Sequence, residues 1–179
     1  MKNKPLIIAF TAPKQTGKTT ACRSIVYQRG GEIISFAGPL KDFAAQLFPK
    51  EYLNDLKETI CPATGVSYRE WAIATGDAWR GLNKNIFIDV LAHRCAKVQA
   101  LAPGRPLILI DDVRFGNEAK WIKSAGGIIV HLSREGIHYK MDHATEQPID
   151  QKFVDHFCSV ENVVEFVSRL IDEAKGEQS

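Results

Sequence analysis

Read for its alternation of apolar and polar positions, the chain opens with an unbroken apolar run, Leu6-Ile7-Ile8-Ala9-Phe10, that suits a strand buried on both faces. From Thr19 to Gln28 the apolar residues Ala21, Ile25 and Val26 fall at helical spacing, and Gly30-Gly31 supplies a stop. A second short strand is expected over Glu32 to Phe36. Gly38-Pro39 punctuates the chain before a helix over Lys41 to Leu47, where Leu40, Phe43, Ala44 and Leu47 recur. Two further helical stretches run from Tyr68 to Thr75 and from Asn85 to Leu101. The second carries Phe87, Val90, Leu91, Val98 and Leu101 along one side, as a core-facing stripe does. The clearest strand is Leu107-Ile108-Leu109-Ile110, which ends in Asp111-Asp112. Carboxylates there are expensive to bury unless they are used. A helix near Asn117 to Ser124, a strand from Gly127 to Leu132, a polar segment from Ser133 to Gln147 and a final helix near Asn162 to Lys175 complete the pattern.

Strands alternating with helices predict an α/β fold, a three-layer, doubly wound, mainly parallel sheet whose ligand sits at the carboxyl ends of its strands. A length of 179 residues fits one domain, 1–179, with the polar segment at about 133–147 as a lid over the site. Charge is nearly balanced, 23 Lys+Arg against 21 Asp+Glu, without long like-charge runs, which speaks against a nucleic-acid surface. Cys22, Cys61, Cys95 and Cys158 are scattered and form no disulfide-like framework, so reduced thiols in a cytoplasm are expected. The apolar run after Met1-Lys2-Asn3-Lys4-Pro5 is too short for a signal sequence or a membrane span, and no membrane partner is expected.

Between the first strand and the first helix lies Ala12-Pro13-Lys14-Gln15-Thr16-Gly17-Lys18-Thr19, followed by Thr20. It reads as a phosphate-binding P-loop with Ala in place of the first Gly. Backbone N–H groups curling from a strand into a helix N-terminus form an anion cradle, and the helix dipole adds favourable potential for phosphate. Lys18 is then expected to reach the β and γ phosphates, and Thr19 a magnesium ion. Because Ala tolerates positive φ less well than Gly, Ala12 predicts a slightly altered loop entry.

Five segments in this order resemble the deoxynucleoside monophosphate kinases of bacteriophages, within the P-loop kinases. They are Pro13 to Thr19, Phe36-Ala37-Gly38-Pro39-Leu40-Lys41-Asp42, Tyr68-Arg69-Glu70-Trp71 with Gly76-Asp77-Ala78-Trp79-Arg80, Asp112-Val113-Arg114-Phe115-Gly116-Asn117-Glu118, and Asp142-His143-Ala144-Thr145-Glu146. The resemblance spans most of the chain. It implies ATP and a deoxynucleoside monophosphate as partners, transfer of a phosphoryl group between them, Mg2+ as cofactor, a homodimer as a permitted assembly, and the host cytoplasm as the location if a phage encodes the protein. One departure stands out: Val160, in Cys158-Ser159-Val160-Glu161, occupies a place where the family tends to have Asn, so donor-base selectivity is left open.

Bringing a triphosphate and a monophosphate together requires convergent cations. Lys18 serves the donor; Lys41, Arg69, Arg80 and Arg114 are candidates for the acceptor phosphate, Arg being suited by its planar fork. Trp79, with Tyr68 and Trp71, is a candidate for a contact to base or sugar. Asp112 is assigned to magnesium by its place after the third strand, and the family pattern favours it over Asp111. Arg134 is a candidate lid arginine for the donor phosphates, and Asp142, His143 and Glu146 would shape the closed site or contact the acceptor. His138, Asp142 and His143 also read as metal ligands, but lack a fourth partner for zinc. Two other functions stay open: a P-loop kinase acting on a hydroxyl, like dephospho-coenzyme A kinase, with Asp42 or Asp77 as base, and a nucleotide-binding regulator without turnover.

Overall fold

The computed structural model of the protein describes residues 4–102, 104, 106–139 and 147–176. Five strands, β1 (Leu6–Thr11), β2 (Glu32–Ile34), β3 (Leu107–Ile110), β4 (Ile128–Ser133) and β5 (His156–Ser159), pair in the order β2-β3-β1-β4-β5, and every pairing is parallel. All residues of β1 and β3 are buried, which is why their sequences are apolar without alternation. Leu6 to Ala9 of β1 pair with Leu107 to Ile110, and Ile8 to Thr11 pair with Ile128 to His131. The strand order therefore reverses across β1, and in such sheets that reversal opens a ligand crevice at the strands' carboxyl ends.

The chain divides into two compact units, Met1–Ser35 with Ala92–Ser179, and Phe36–Leu91. In the first, Ile8, Phe10, Leu109 and Leu132 of the sheet share a core with Cys22 and Ile25 of α1 (Lys18–Arg29) and with Val163, Val167 and Ile171 of α7 (Val163–Gly176). The α7 residues recur every four positions, so one face of that helix is apolar, and each such buried side chain contributes roughly 1.5–3 kcal/mol. α6 (Gly116–Ser124) buries Ala119 and Ile122. Gly30 closes α1 by donating its N–H to the Val26 carbonyl at 2.9 Å.

The second unit holds α2 (Gly38–Ala44), α3 (Lys50–Leu53), α4 (Tyr68–Leu82) and the start of α5 (Ile86–Leu101), which continues into the first. Its small core is Ala44, Phe48 and Cys61, with Tyr52, Leu53, Tyr68 and Trp71 against it. The ring of Phe48 meets Tyr68 and Trp71 edge-on, at 5.8 and 5.6 Å. Ser67 and Glu70 start α4 by reciprocal capping: the Glu70 N–H donates to the Ser67 hydroxyl and the Ser67 N–H to the Glu70 carboxylate, each at 3.2 Å.

Several boundaries differ from expectation. Gly38-Pro39 lies inside the first turn of α2, where Pro is preorganised for a helix. α4 runs past Thr75 to Leu82, through two glycines that propensity disfavours. Leu101, expected on a core-facing stripe, is 77% exposed. Strand β5 and helix α3 carry no clear periodicity; β5 exists because β4 offers it a partner, Val130 to His156 through Ser133 to Ser159. The four cysteines are free thiols. Among the described residues, no helix is long and apolar enough to cross a membrane.

Candidate phosphate-binding site

The loop that leaves β1 is held in shape from within. Thr16, fully buried, donates its hydroxyl to the Pro13 carbonyl at 2.8 Å. Gln15 has φ 65° and Gly17 φ 100°, so the left-handed turns fall at these two positions and not at Ala12. The cost expected of Ala at the loop entry therefore does not arise. Gly17 is also the N-cap of α1 and has no side chain to occupy the helix's first N–H groups, which is what an anion cradle requires. Lys18 folds over the loop, donating to the carbonyls of Ala12 and Pro13 at 2.9 and 3.0 Å.

An acidic side chain just past β3 fixes the other side. Thr19 donates its hydroxyl to Asp111 at 2.9 Å, and Ser35, just after β2, donates to the second Asp111 oxygen at 2.6 Å. Asp112, the carboxylate expected for magnesium, is buried next to it, yet the Thr19 hydroxyl goes to Asp111. Thr19 and Asp111 are hard oxygen donors within hydrogen-bond distance of one another, and this pair fits a magnesium ion. Beyond them, the Val113 N–H reaches back to the Phe10 carbonyl at 3.2 Å. Glu118, 3% exposed, accepts the N–H groups of Arg114 and Phe115 at 2.8 and 3.0 Å. That buried carboxylate fixes the backbone from which Arg114 projects.

A pocket at this end of the sheet is lined, among the described residues, by Thr11, Ala12, Lys14, Lys18, Val113, Arg114, Tyr139 and Gln147, three of them cations. Burial first, then the Arg114 guanidinium, pushes the Lys18 ammonium down from 10.5 to about 8, although Asp111 and Asp112 pull the other way. Desolvated positive charge of this kind favours a bound anion. Arg134, one residue past β4, lies over the loop: its guanidinium is 3.3 Å from where a side chain on Gly17 would begin, and its Nε is 3.7 Å from Glu161. Val160 stands at the same place, 3.5 Å from that point.

His131 and Tyr139 carry no signal in the sequence, because their meeting depends on the β1–β4 register that sets His131 beside Thr11. The Tyr139 hydroxyl is 3.3 Å from His131 Nε2. Burial holds His131 below its ordinary range, with Lys18 adding to the effect, and burial raises Tyr139, against which a hydrogen bond to the Thr11 side chain acts. Glu118 stands in a segment that carries the resemblance, but its burial and its two backbone partners come from the fold.

The other predicted cations belong to the second unit. Lys41 is exposed on α2. Arg69, in the first turn of α4, pairs with Glu58 at 3.6 Å. Arg80 lies over the Phe87 ring, 4.6 Å from its centre, and 3.7 Å from Asp77; Trp79 stacks on the same ring at 5.8 Å. Of the expected lid, residues 133–139 and 147 are described, whereas Asp142, His143 and Glu146 lie outside the described residues.

The described residues form an α/β fold whose five-stranded sheet is all parallel, with the loop 12–19 leaving its central strand. The chain is similar to a gluconokinase from Sinorhizobium meliloti, at 14% identity and TM-score 0.50 over 99% of each chain. It is also similar to shikimate kinase from Bacteroides thetaiotaomicron, at 12% identity and TM-score 0.51 over 93% of this chain and 98% of that one. In sequence it is 28% identical, over 93% of its length and 94% of the relative's, to a protein of Acanthamoeba polyphaga mimivirus named "Putative deoxynucleotide monophosphate kinase". No protein-family model matches.

Proposed function

We propose that the protein transfers the γ-phosphoryl group of ATP to a deoxynucleoside monophosphate, giving the diphosphate used as a DNA precursor. The observation that carries this reading is the gathering of Lys18, Arg114 and Arg134 at one P-loop, and the name of the mimivirus relative supports the choice of acceptor. Residues Ala12 to Thr20 hold the donor phosphates, and Arg134 exchanges Glu161 for them. In this reading Arg114 serves the transferred group from the acceptor side, and Lys41, Arg69, Trp79 and Arg80 are the second unit's ligands for the acceptor nucleotide.

The acceptor oxygen is already ionised, so its attack on the γ-phosphorus, with cleavage of the bond to ADP, removes no proton and needs no general base. The barrier is repulsion between anions, and preorganised cations lower it. Thr19 and Asp111, with Asp112 adjacent, would hold Mg2+, which would supply further neutralisation of the phosphate oxygens. Val160 gives the donor base an apolar neighbour without a side-chain hydrogen bond.

The test is coupled ADP release with every common ribo- and deoxynucleoside monophosphate. At least one deoxynucleotide is expected to turn over, preferred to its ribose counterpart by about five- to hundred-fold in kcat/KM. That is the roughly 1–3 kcal/mol of a 2′-hydroxyl buried without a partner. Equal rates in every pair remove the deoxy assignment. Turnover with hydroxyl acceptors and not with monophosphates makes the protein a different P-loop kinase, and stabilisation by ATP without any turnover makes it a regulator.

A further inference from the structure

α4 contains a glycine that helix propensity disfavours and that α2 does not demand. Gly76 is buried near the middle of Tyr68–Leu82. A Cβ built there meets Leu40 of α2 at 4.0 Å, an ordinary contact, so close packing between the helices does not exclude a side chain. The tight neighbour is Arg80, one turn further on, whose Nη1 lies 3.1 Å from the Cβ position. Long side chains on a helix lean toward its N-terminus, which brings Arg80 back over position 76. The guanidinium thus has a seat with three sides: the bare backbone at Gly76, Asp77 at 3.7 Å, and the Phe87 ring 4.6 Å beneath its central carbon. Phe87 is in turn stacked by Trp79.

We infer that Gly76 is a positioning residue: it keeps the space in which Arg80 holds one orientation, ready to grip the phosphate of the acceptor nucleotide. This rests on Arg80 being an acceptor ligand as proposed above. A methyl group at position 76 forces the guanidinium to give way by a few tenths of an ångström, and charge-assisted, planar recognition of phosphate is sensitive to such displacement.

Stability and function are expected to move in opposite directions. Gly76→Ala replaces the poorer helix former by the best one, so Tm stays level or rises by about 1–3 °C. Acceptor KM rises about three- to tenfold, with ATP KM within about twofold of wild type. Gly76→Val enlarges the acceptor effect. Arg80→Ala alone raises acceptor KM by about ten- to hundred-fold. In the Arg80→Ala background, Gly76→Ala adds nothing further, because it acts through the arginine. If Arg80→Ala raises acceptor KM but Gly76→Ala leaves it unchanged, or if the two effects multiply, the positioning role is overturned and the acceptor role of Arg80 survives. If Arg80→Ala itself leaves acceptor KM unchanged, both fall. A drop in Tm with loss of both substrates would instead make Gly76 a packing residue.

Discussion

The loop and strand ends of the first unit and the arginines of the second are held by different means, Arg134 with its exposed partner Glu161 being the exception in the first. In the first, the groups that shape the phosphate site are themselves buried: Thr16 is fully inside, Glu118 is 3% exposed and Asp111 5% exposed. Each makes short hydrogen bonds to backbone or hydroxyl groups. In the second, Arg69 is held by Glu58 and Arg80 by Asp77, carboxylates whose side chains are more than half exposed. Buried, fully hydrogen-bonded groups cost much to disturb, whereas exposed ion pairs contribute about 0–1 kcal/mol. The contrast suits the proposed reaction, in which the loop around Lys18 is fixed in advance while Arg69 and Arg80 trade an exposed carboxylate for a phosphate.

The largest expected effect strikes the fixed region. Lys18→Ala should lower kcat by at least a hundredfold, about 2.7 kcal/mol, while circular dichroism and Tm show an intact fold. The fold survives because Lys18 packs no core, and the relief of its desolvated charge offsets the loss of its hydrogen bonds to the Ala12 and Pro13 carbonyls. A mutant that folds and keeps more than about a tenth of the wild-type kcat would show that Lys18 is not the phosphate lysine.

A smaller effect follows from the depressed Lys18 pKa of about 8. Folded Lys18 releases its proton earlier than unfolded Lys18, so between about pH 8 and 10.5 the unfolded chain binds more protons and this group's contribution to stability rises with pH. ATP binding moves the opposite way. It demands the charged lysine, so ATP affinity should fall up to about tenfold from pH 7 to pH 9, and binding at pH 9 should take up close to one proton. Calorimetry in two buffers of different ionisation enthalpy measures the uptake. Proton-neutral binding at pH 9 would separate Lys18 from the nucleotide.

Much of the first unit was legible in the residues because its signals are local. Strand β3 falls where its apolar run places it, and the P-loop is a contiguous motif whose strand and helix can be checked on either side. Other parts depend on the fold. Which of Asp111 and Asp112 meets Thr19 is decided by the direction in which β3 delivers each side chain, and Ser35 joins them through β2, 76 residues away in sequence. The partnership of His131, Tyr139 and Thr11 is likewise a matter of register. In the second unit the arginines were visible as charges, but their seats were not, since Phe87 under Arg80 comes from a different helix. β5 was invisible because His156-Phe157-Cys158-Ser159 has neither an apolar run nor a clean alternation.

The smallest expected effect tests the adjustable side directly. Glu58 is 63% exposed and lies 3.6 Å from Arg69, so it holds that guanidinium loosely while competing with any phosphate for it. Glu58→Ala should change stability by less than about 0.5 kcal/mol, within the range of exposed pairs. Because it removes a competitor for Arg69, acceptor KM should fall, by no more than about threefold, and the fall should shrink as salt is raised. Glu118→Ala is the matched control in the fixed region. It strands the N–H groups of Arg114 and Phe115, for a loss of about 1–3 kcal/mol of stability. Chemical denaturation of the two variants, with acceptor KM at two ionic strengths, decides the matter. Equal destabilisation by both would erase the distinction between the units, and a rise in acceptor KM for Glu58→Ala would mean that its pairing orients Arg69 and does not occupy it.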